Sequence, residues 1–361
     1  MSTVRLSTLT LLPCAIALAI VFTMTTLVET HHQESHDELT NSGQAKFTGN
    51  PNSNGSITCN PGYYADPADN TNCIAASPGF FVNNNSWVET LIEGSDRSIS
   101  MGESHTCAIL DDGRVSCWGW NYYGQLGDGT YPSRYSPYVG GNVQDVSLGS
   151  GRTAVAVSAA ARHTCAILDN GLVSCWGDNA FGQLGDGTTV DRNTTIQTAS
   201  LGSGRTAVAI TSGDFHTCAI LDNGSVSCWG YGNFGQLGIG GSQQYQNHNT
   251  PTQTATLGPG RTAVALSAAN KHTCAILDDG SVSCWGGNWN GQLGDGTTAD
   301  RTTPTQTASL GSGRTAVAIT AGSSSHTCVI LDDGSVSCWG ENLFGQLGDG
   351  GAYLRASTPT Q

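Results

Sequence analysis

Ten cysteines fall into five couples, Cys107/Cys117, Cys165/Cys175, Cys218/Cys228, Cys274/Cys284 and Cys328/Cys338, each ten residues apart inside a repeated phrase. In the fourth copy that phrase is His-Thr-Cys-Ala-Ile-Leu-Asp-Asp-Gly-Ser-Val-Ser-Cys-Trp-Gly, residues 272–286. The chemistry open to such couples is disulfide formation. A glycine in the left-handed region closes a three-residue hairpin loop. With Asp278-Asp279-Gly280 as that loop, Leu277 faces Ser281 and Cys274 stands directly opposite Cys284. Opposed residues of antiparallel strands have Cα atoms about 4.5–5.5 Å apart, within the span of a disulfide. Zinc is disfavoured, because the paired C-x2–4-C knuckles of zinc sites are missing. Cys59 and Cys73 make a sixth, local couple, and Cys14 lies in an apolar run.

The phrase also repeats a histidine (His105, His163, His216, His272, His326) and a tryptophan (Trp118, Trp176, Trp229, Trp285, Trp339). One active site breaks symmetry, so residues required in every copy read as architecture. The histidines are expected to bond a neighbouring strand, and the indole N–H groups to need buried partners. Gly-Asp-Gly phrases place Asp128, Asp186, Asp295 and Asp349 in one slot, with Ile239 replacing the aspartate in the third copy. Calcium requires several converging oxygens, and these phrases read as turns first. His31, His32 and His36 lie among acids in a polar stretch and read as a solvated linker. No phosphate loop, H-E-x-x-H, nucleophile elbow or cysteine–histidine protease signature occurs. No catalytic residue, metal or cofactor is assigned.

Slots that vary between copies carry more information. After each Trp-Gly the first slot holds Trp120, Asp178, Tyr231, Gly287 and Glu341, and a second holds Tyr122, Ala180, Asn233, Trp289 and Leu343. Just before each histidine come Ser104, Arg162, Phe215, Lys271 and Ser325. Fixed framework beside changing loops suggests a scaffold that displays a recognition face, and aromatic residues with arginine are the types that anchor interfaces. The ligand-binding candidates are Trp120, Tyr122, Arg162, Phe215, Tyr231, Lys271 and Trp289.

These residues must be positioned by the repeat itself. The histidines recur at intervals of 58, 53, 56 and 54 residues, and strand-built periods of this order suggest propeller blades. In the third copy Thr206–Thr211 alternates as a period-two strand, His216–Leu221 and Ser225–Trp229 form the hairpin, and Thr250–Ala255 supplies a fourth strand. Pro251 fits an edge position rather than a central one. The quoted phrase, with Gly-Gln-Leu-Gly-Asp-Gly-Thr, resembles the repeat of the regulator-of-chromosome-condensation (RCC1) family over residues 97–361. The resemblance implies a β-propeller, commonly of seven blades; here five units are visible. The expected fold is all-β: five four-stranded blades at about 97–150, 151–203, 204–259, 260–312 and 313–361, within a propeller spanning 87–361. The run Trp87–Ile92 is expected to pair into the last blade and close the ring, the rival being an open arc.

Upstream, Leu6–Val28 is uncharged and long enough to cross a bilayer as a helix. Arg5 precedes it, while Glu29, Glu34, Asp37 and Glu38 follow, an asymmetry that directs the remainder outward. Residues 1–28 are read as a signal anchor or a signal peptide, 29–58 as a flexible linker, and 59–86 as a small module. Pro61-Gly62-Tyr63-Tyr64 and Pro78-Gly79-Phe80-Phe81 around Cys59 and Cys73 resemble cysteine-rich modules of extracellular receptors. Export agrees with repeated disulfides. A formal charge of −14, with only Lys46 and Lys271 as lysines, argues against nucleic acid as partner. The reading is a monomeric extracellular or cell-surface scaffold, not an enzyme, that binds a protein or glycan. Its rival is a hydrolase or lyase with paired carboxylates in the propeller mouth. The resemblance also implies nucleotide exchange on a small GTPase and chromatin binding, with which export and acidic charge disagree.

Overall fold

The computed structural model describes residues 99–361, apart from 111, 137, 140, 141, 144, 324 and 352, together with the short strands Tyr63–Ala65, Cys73–Ala75, Phe80–Phe81 and Thr90–Leu91. The chain divides into two units, 1–89 and 90–361. In the first, Tyr63–Ala65 pairs antiparallel with Cys73–Ala75. The expectations for the apolar N-terminal run, for His31, His32 and His36, and for a Cys59–Cys73 bond lie outside the described residues. Among the described residues no helix is long and apolar enough to cross a membrane.

The second unit holds five four-stranded antiparallel sheets. The second blade is typical: Ala154–Ala159, His163–Leu168, Val173–Gly177 and Arg192–Gln197 lie side by side in chain order. The first strands of successive blades pack on one another and so line the axis. In the central hairpins Cys274 stands opposite Cys284 and Ile276 opposite Val282. Gly280 N donates to Leu277 O at 2.8 Å to close the loop, with Gly280 at φ +74°, where a β-carbon is unfavourable. The outer strand of the third blade is His248–Gln253, earlier than the expected Thr250–Ala255, because Gly230 pairs with His248 across a bulge.

The five repeat couples are bonded as the hairpin register requires: Cys107 to Cys117, Cys165 to Cys175, Cys218 to Cys228, Cys274 to Cys284 and Cys328 to Cys338. The expected spacing is corrected in one respect. Each pair has its Cα atoms 4.1 Å apart, closer than the about 4.5–5.5 Å of opposed strand residues in general. The cysteines occupy the narrower kind of opposed pair, and the covalent bridge draws the strands together there.

Four interfaces join the five blades, and each carries the same set of buried side-chain bonds. Between the second and third blades, Gln183 O accepts both Thr217 Oγ1–H at 3.0 Å and Trp229 Nε1–H at 2.9 Å. Thr217 thereby spends its only proton, so His163, 2.9 Å away, must donate to it from Nε2. The same set recurs with Gln125, Thr164, Trp176 and His105, with Gln236, Thr273, Trp285 and His216, and with Gln292, Thr327, Trp339 and His272. Each set sits beside its own apolar cluster; Ile167, Val173 and Leu184 of the second blade, for instance, pack on Ala219, Leu221 and Trp229 of the third. A β-carbon on Gly185 would lie 2.8 Å from Trp229 Nε1, so only glycine admits the indole.

Among the described residues the ring is not closed. The fifth sheet takes all four strands from Ala316–Gly322, His326–Leu331, Val336–Glu341 and Arg355–Thr360, whereas Thr90–Leu91 belongs to a separate two-stranded sheet. The expected closure through Trp87–Ile92 is therefore corrected: Arg355–Thr360 already occupies the outer edge, with Thr360 opposite Cys338. Among the described residues the fifth copy of the bond set, His326 and Gln346 against Thr106 and Trp118, is not assembled. Trp118 is only partly buried, while its four counterparts are fully so.

Two measurements test this interlock. Thr217→Val leaves the buried His163 N–H without an acceptor and is expected to cost about 1–3 kcal/mol in urea unfolding. Thr106→Val, at the open end, is expected to change stability by less than about 0.5 kcal/mol; equal losses would contradict the open ring. Burial pushes the imidazoles of His163, His216 and His272 down from 6.5 to about 3, and that of His105 to about 4. Such a histidine is neutral when folded and charges on unfolding, so its contribution is complete above pH 6.5 and is lost as pH falls from there towards the folded value. Each one removes up to about 1.4 kcal/mol per pH unit across that window. The urea midpoint should fall steeply between pH 7 and pH 4.5, and a flat profile would refute neutral, donating histidines.

Candidate functional site

Antiparallel order places the turn between the first and second strands at the same end of each sheet as the loop between the third and outer strands. The residue before each histidine and the residues after each Trp-Gly therefore share one face of the propeller. The two variable regions, distant in sequence, meet there.

Side chains from the first four blades form one connected ridge on this face. Trp120 stacks on Tyr122 with ring centroids 6.1 Å apart and meets Tyr123 edge-on at 5.5 Å. The Arg162 guanidinium lies 5.1 Å from the Tyr123 centroid and 5.4 Å from that of Phe215, and its Nη1 donates to the Tyr123 hydroxyl at 3.1 Å. Phe181 touches Phe215 and Tyr231 at centroid distances of 5.5 and 4.8 Å. Tyr231 continues to Phe234 at 5.9 Å, and Phe234 to Trp289 at 5.2 Å. Lys271 Nζ sits 4.9 Å from both the Phe234 and Trp289 rings. Cations so placed are attracted by the ring faces. Tyr122 is 69% and Trp289 52% exposed, so the ends of the ridge are open to a ligand.

The structure thus gathers Trp120, Tyr122, Arg162, Phe215, Tyr231, Lys271 and Trp289 onto one surface. It adds three residues that sequence reasoning misses, Tyr123, Phe181 and Phe234. All three occupy the slot just before Gly-Gln-Leu-Gly, which is also aromatic at Phe344. The slot is aromatic in four of the five copies, Asn290 being the exception, so a contrast between fixed and variable positions does not single it out. On the fifth blade Leu343 and Phe344 are exposed at 54% and 87%.

Carboxyls accompany the cations. Burial pushes the Asp178 carboxyl up, and Asp191 beside it adds to the rise against a hydrogen bond from Ala180 N. Burial likewise raises Asp214; the Ser323 hydroxyl donates to it at 3.4 Å, Glu103 adds like charge, and Arg162 opposes. Asp214 therefore stands where turns of the first, second, third and fifth blades converge at the axis. The aspartates weighed for calcium are engaged locally: Asp186 accepts from Thr188 N and Oγ1, from Asn179 Nδ2 and from Arg192. Desolvation raises the Asp186 carboxyl, but those bonds outweigh it and hold the group below its ordinary range.

Comparison with known proteins bears on the fold. The RCC1-like domain profile matches residues 76–361, beginning inside the stretch 59–86 read as a small module. Ultraviolet-B receptor UVR8 of Arabidopsis thaliana is 32% identical over 70% of this chain and 54% of its own length. Human E3 ubiquitin-protein ligase HERC2 is 32% identical over 60% of this chain and 4% of its own. The chain thus spans about half of the first relative and a small fraction of the second. Among solved structures, human WBSCR16 aligns with a TM-score of 0.62 at 20% identity, covering 74% of this chain and 66% of that one. Prp20p of Saccharomyces cerevisiae gives 0.58 at 18% identity, covering 72% and 61%. At these identities the two structures speak to fold alone.

Proposed function

The chain belongs to the RCC1-like domain family, and on that basis we propose that it is a non-enzymatic recognition scaffold, exported to the cell surface or beyond, that binds a protein or glycan on its aromatic face. The observation that carries this reading is the ridge from Trp120 to Trp289, continuous across four blades and open at both ends. Flat rings stack on sugar faces and on apolar side chains, and aromatic residues with arginine supply most of the energy at protein interfaces. Relatives described as a receptor and a ubiquitin ligase fit a fold used for recognition.

The test is a screen of the purified full chain against arrayed glycans and arrayed extracellular proteins. For any ligand retained, Tyr122→Ala and Trp289→Ala should each weaken binding by about tenfold or more. Arg205→Ala, on the opposite end of the blades beside Asp222, should leave it unchanged. Binding lost through Arg205 and kept without the aromatic residues would move the site to the other face.

Export is tested by alkylating free thiols on protein isolated from its native cells and weighing the intact chain. The ten repeat cysteines should be blocked. Free thiols in the five repeat couples would overturn export and restore guanine-nucleotide exchange as the leading reading.

Asp214 favours one other reading, hydrolysis or elimination in the propeller mouth, because a carboxyl with a raised pKa near Glu103 is the pattern of a general acid beside a base. That reading expects polysaccharide turnover that disappears in Asp214→Asn, and absence of turnover removes it.

A further inference from the structure

The tip of the central hairpin differs in one copy from all the others. It reads Asp-Asp-Gly in the first, fourth and fifth copies and Asp-Asn-Gly in the second and third. The residue after the glycine is Arg114, Leu172, Ser225, Ser281 or Ser335. The third tip alone therefore joins a side-chain amide to a hydroxyl two positions on, in Asn223-Gly224-Ser225, the N-x-[ST] spacing of an asparagine glycosylation acceptor. In the fourth and fifth copies an aspartate in that slot binds arginine: Asp279 lies 2.5 Å from Arg261, and Asp333 lies 2.7 Å from Arg314. In the third, Arg205 pairs with Asp222. Asn223 is exposed, and among the described residues its Nδ2 has no acceptor. Its Oδ1 accepts Ser225 N–H at 3.1 Å and the Ser225 hydroxyl at 2.7 Å. The loop beneath it is held by backbone bonds, from Asp222 N to Thr206 O and from Ala263 N to Gly224 O, both at 2.9 Å.

We propose that Asn223 is a glycan attachment site, taking an oligosaccharide from a lipid-phosphate-linked donor. The Ser225 hydroxyl, by donating to the amide oxygen, polarises the amide and makes the Nδ2 proton easier to lose. That contact spans two residues, so it forms within the loop and does not wait for the blades to pack. Nδ2 attacks the anomeric carbon of the donor, and a C–N bond forms as the C–O bond to phosphate breaks. The lipid phosphate leaves with the bonding electrons, and Nδ2 gives one of its two protons to a base of the transferase. Asn193, in Asn193-Thr194-Thr195, has the same spacing but commits both groups elsewhere. Its Nδ2 donates to Gly129 O at 2.9 Å, and Thr195 Oγ1 donates to Ser147 O at 2.6 Å. The Asn54 and Asn84 triplets lie outside the described residues. A glycan on Asn223 stands at the end of the blades opposite the aromatic ridge and leaves that face open. The site rests on export, as the proposed function holds, because only an exported chain meets this donor.

The experiment uses the full chain isolated from its native cells and first counts free thiols in the repeat couples. Free couples overturn export and this site together, whereas blocked couples leave the site to be judged by itself. The reduced protein is then cut with trypsin. Fragment 206–261 runs from the residue after Arg205 to Arg261 and holds one N-x-[ST] triplet, that of Asn223. It should be heavier by an oligosaccharide, which fragmentation places on Asn223, while fragment 193–205 keeps its unmodified mass. Ser225→Ala should abolish the added mass, and Ser225→Thr, which restores a hydroxyl, should keep it. Asn223→Asp, which copies the Asp279 slot, should abolish it without altering the circular dichroism. An unmodified fragment 206–261 in a chain with blocked couples, or added mass that persists in Ser225→Ala, would overturn the assignment.

Discussion

One carbonyl oxygen recurs at the centre of every interface between blades. Gln125, Gln183, Gln236 and Gln292 each accept two buried donors from the following blade, a threonine hydroxyl and a tryptophan indole. A carbonyl has two lone pairs, so it is saturated, and neither donor has water to turn to. Net hydrogen-bond energies are modest when bonds form but large when a buried partner is removed. The arrangement therefore specifies register between blades more than it adds stability. A blade displaced by one residue would strand a hydroxyl, an indole and an imidazole together.

Much of this is legible in the letters. The hairpin register follows from Asp-Asp-Gly and the ten-residue cysteine spacing, and the blade count follows from the repeat. Ring opening is not legible, because His326 and Thr106 are spelled as their counterparts are; what differs is the absence of a neighbour, which no local pattern records. The threonine of His-Thr-Cys and the glutamine of Gly-Gln-Leu-Gly stay hidden for a related reason. One reads as a strand residue and the other as part of a turn, and their joint role exists only between units.

The candidate face is half legible. Variability locates Trp120, Tyr122, Arg162, Phe215, Tyr231, Lys271 and Trp289, since these slots are free of the framework. It does not locate Tyr123, Phe181 and Phe234, whose slot stays aromatic in every copy but the fourth, where Asn290 stands, yet which join the ridge. Their position has a physical cause. The glutamine whose carbonyl receives the next blade also turns its side chain back, and its Oε1 accepts Tyr123 N at 3.0 Å, or Phe181 N and Phe234 N at 2.9 Å.

The interlock and the aromatic ridge are therefore one device. Gln125, Gln183 and Gln236 each fix the next blade with the backbone and the ridge residue two positions before with the side chain, whereas Gln292 holds Asn290, outside the ridge, in the same way. Arg162 and Lys271, just ahead of the interface histidines His163 and His272, reach the rings of Tyr123 and Phe234 that the preceding blade's glutamine holds. The ridge can cross blade boundaries without a break only because the pieces on both sides of each boundary are tied to the same residue. Such a surface varies in chemistry from blade to blade while its geometry stays constant, which is what a scaffold for recognition requires.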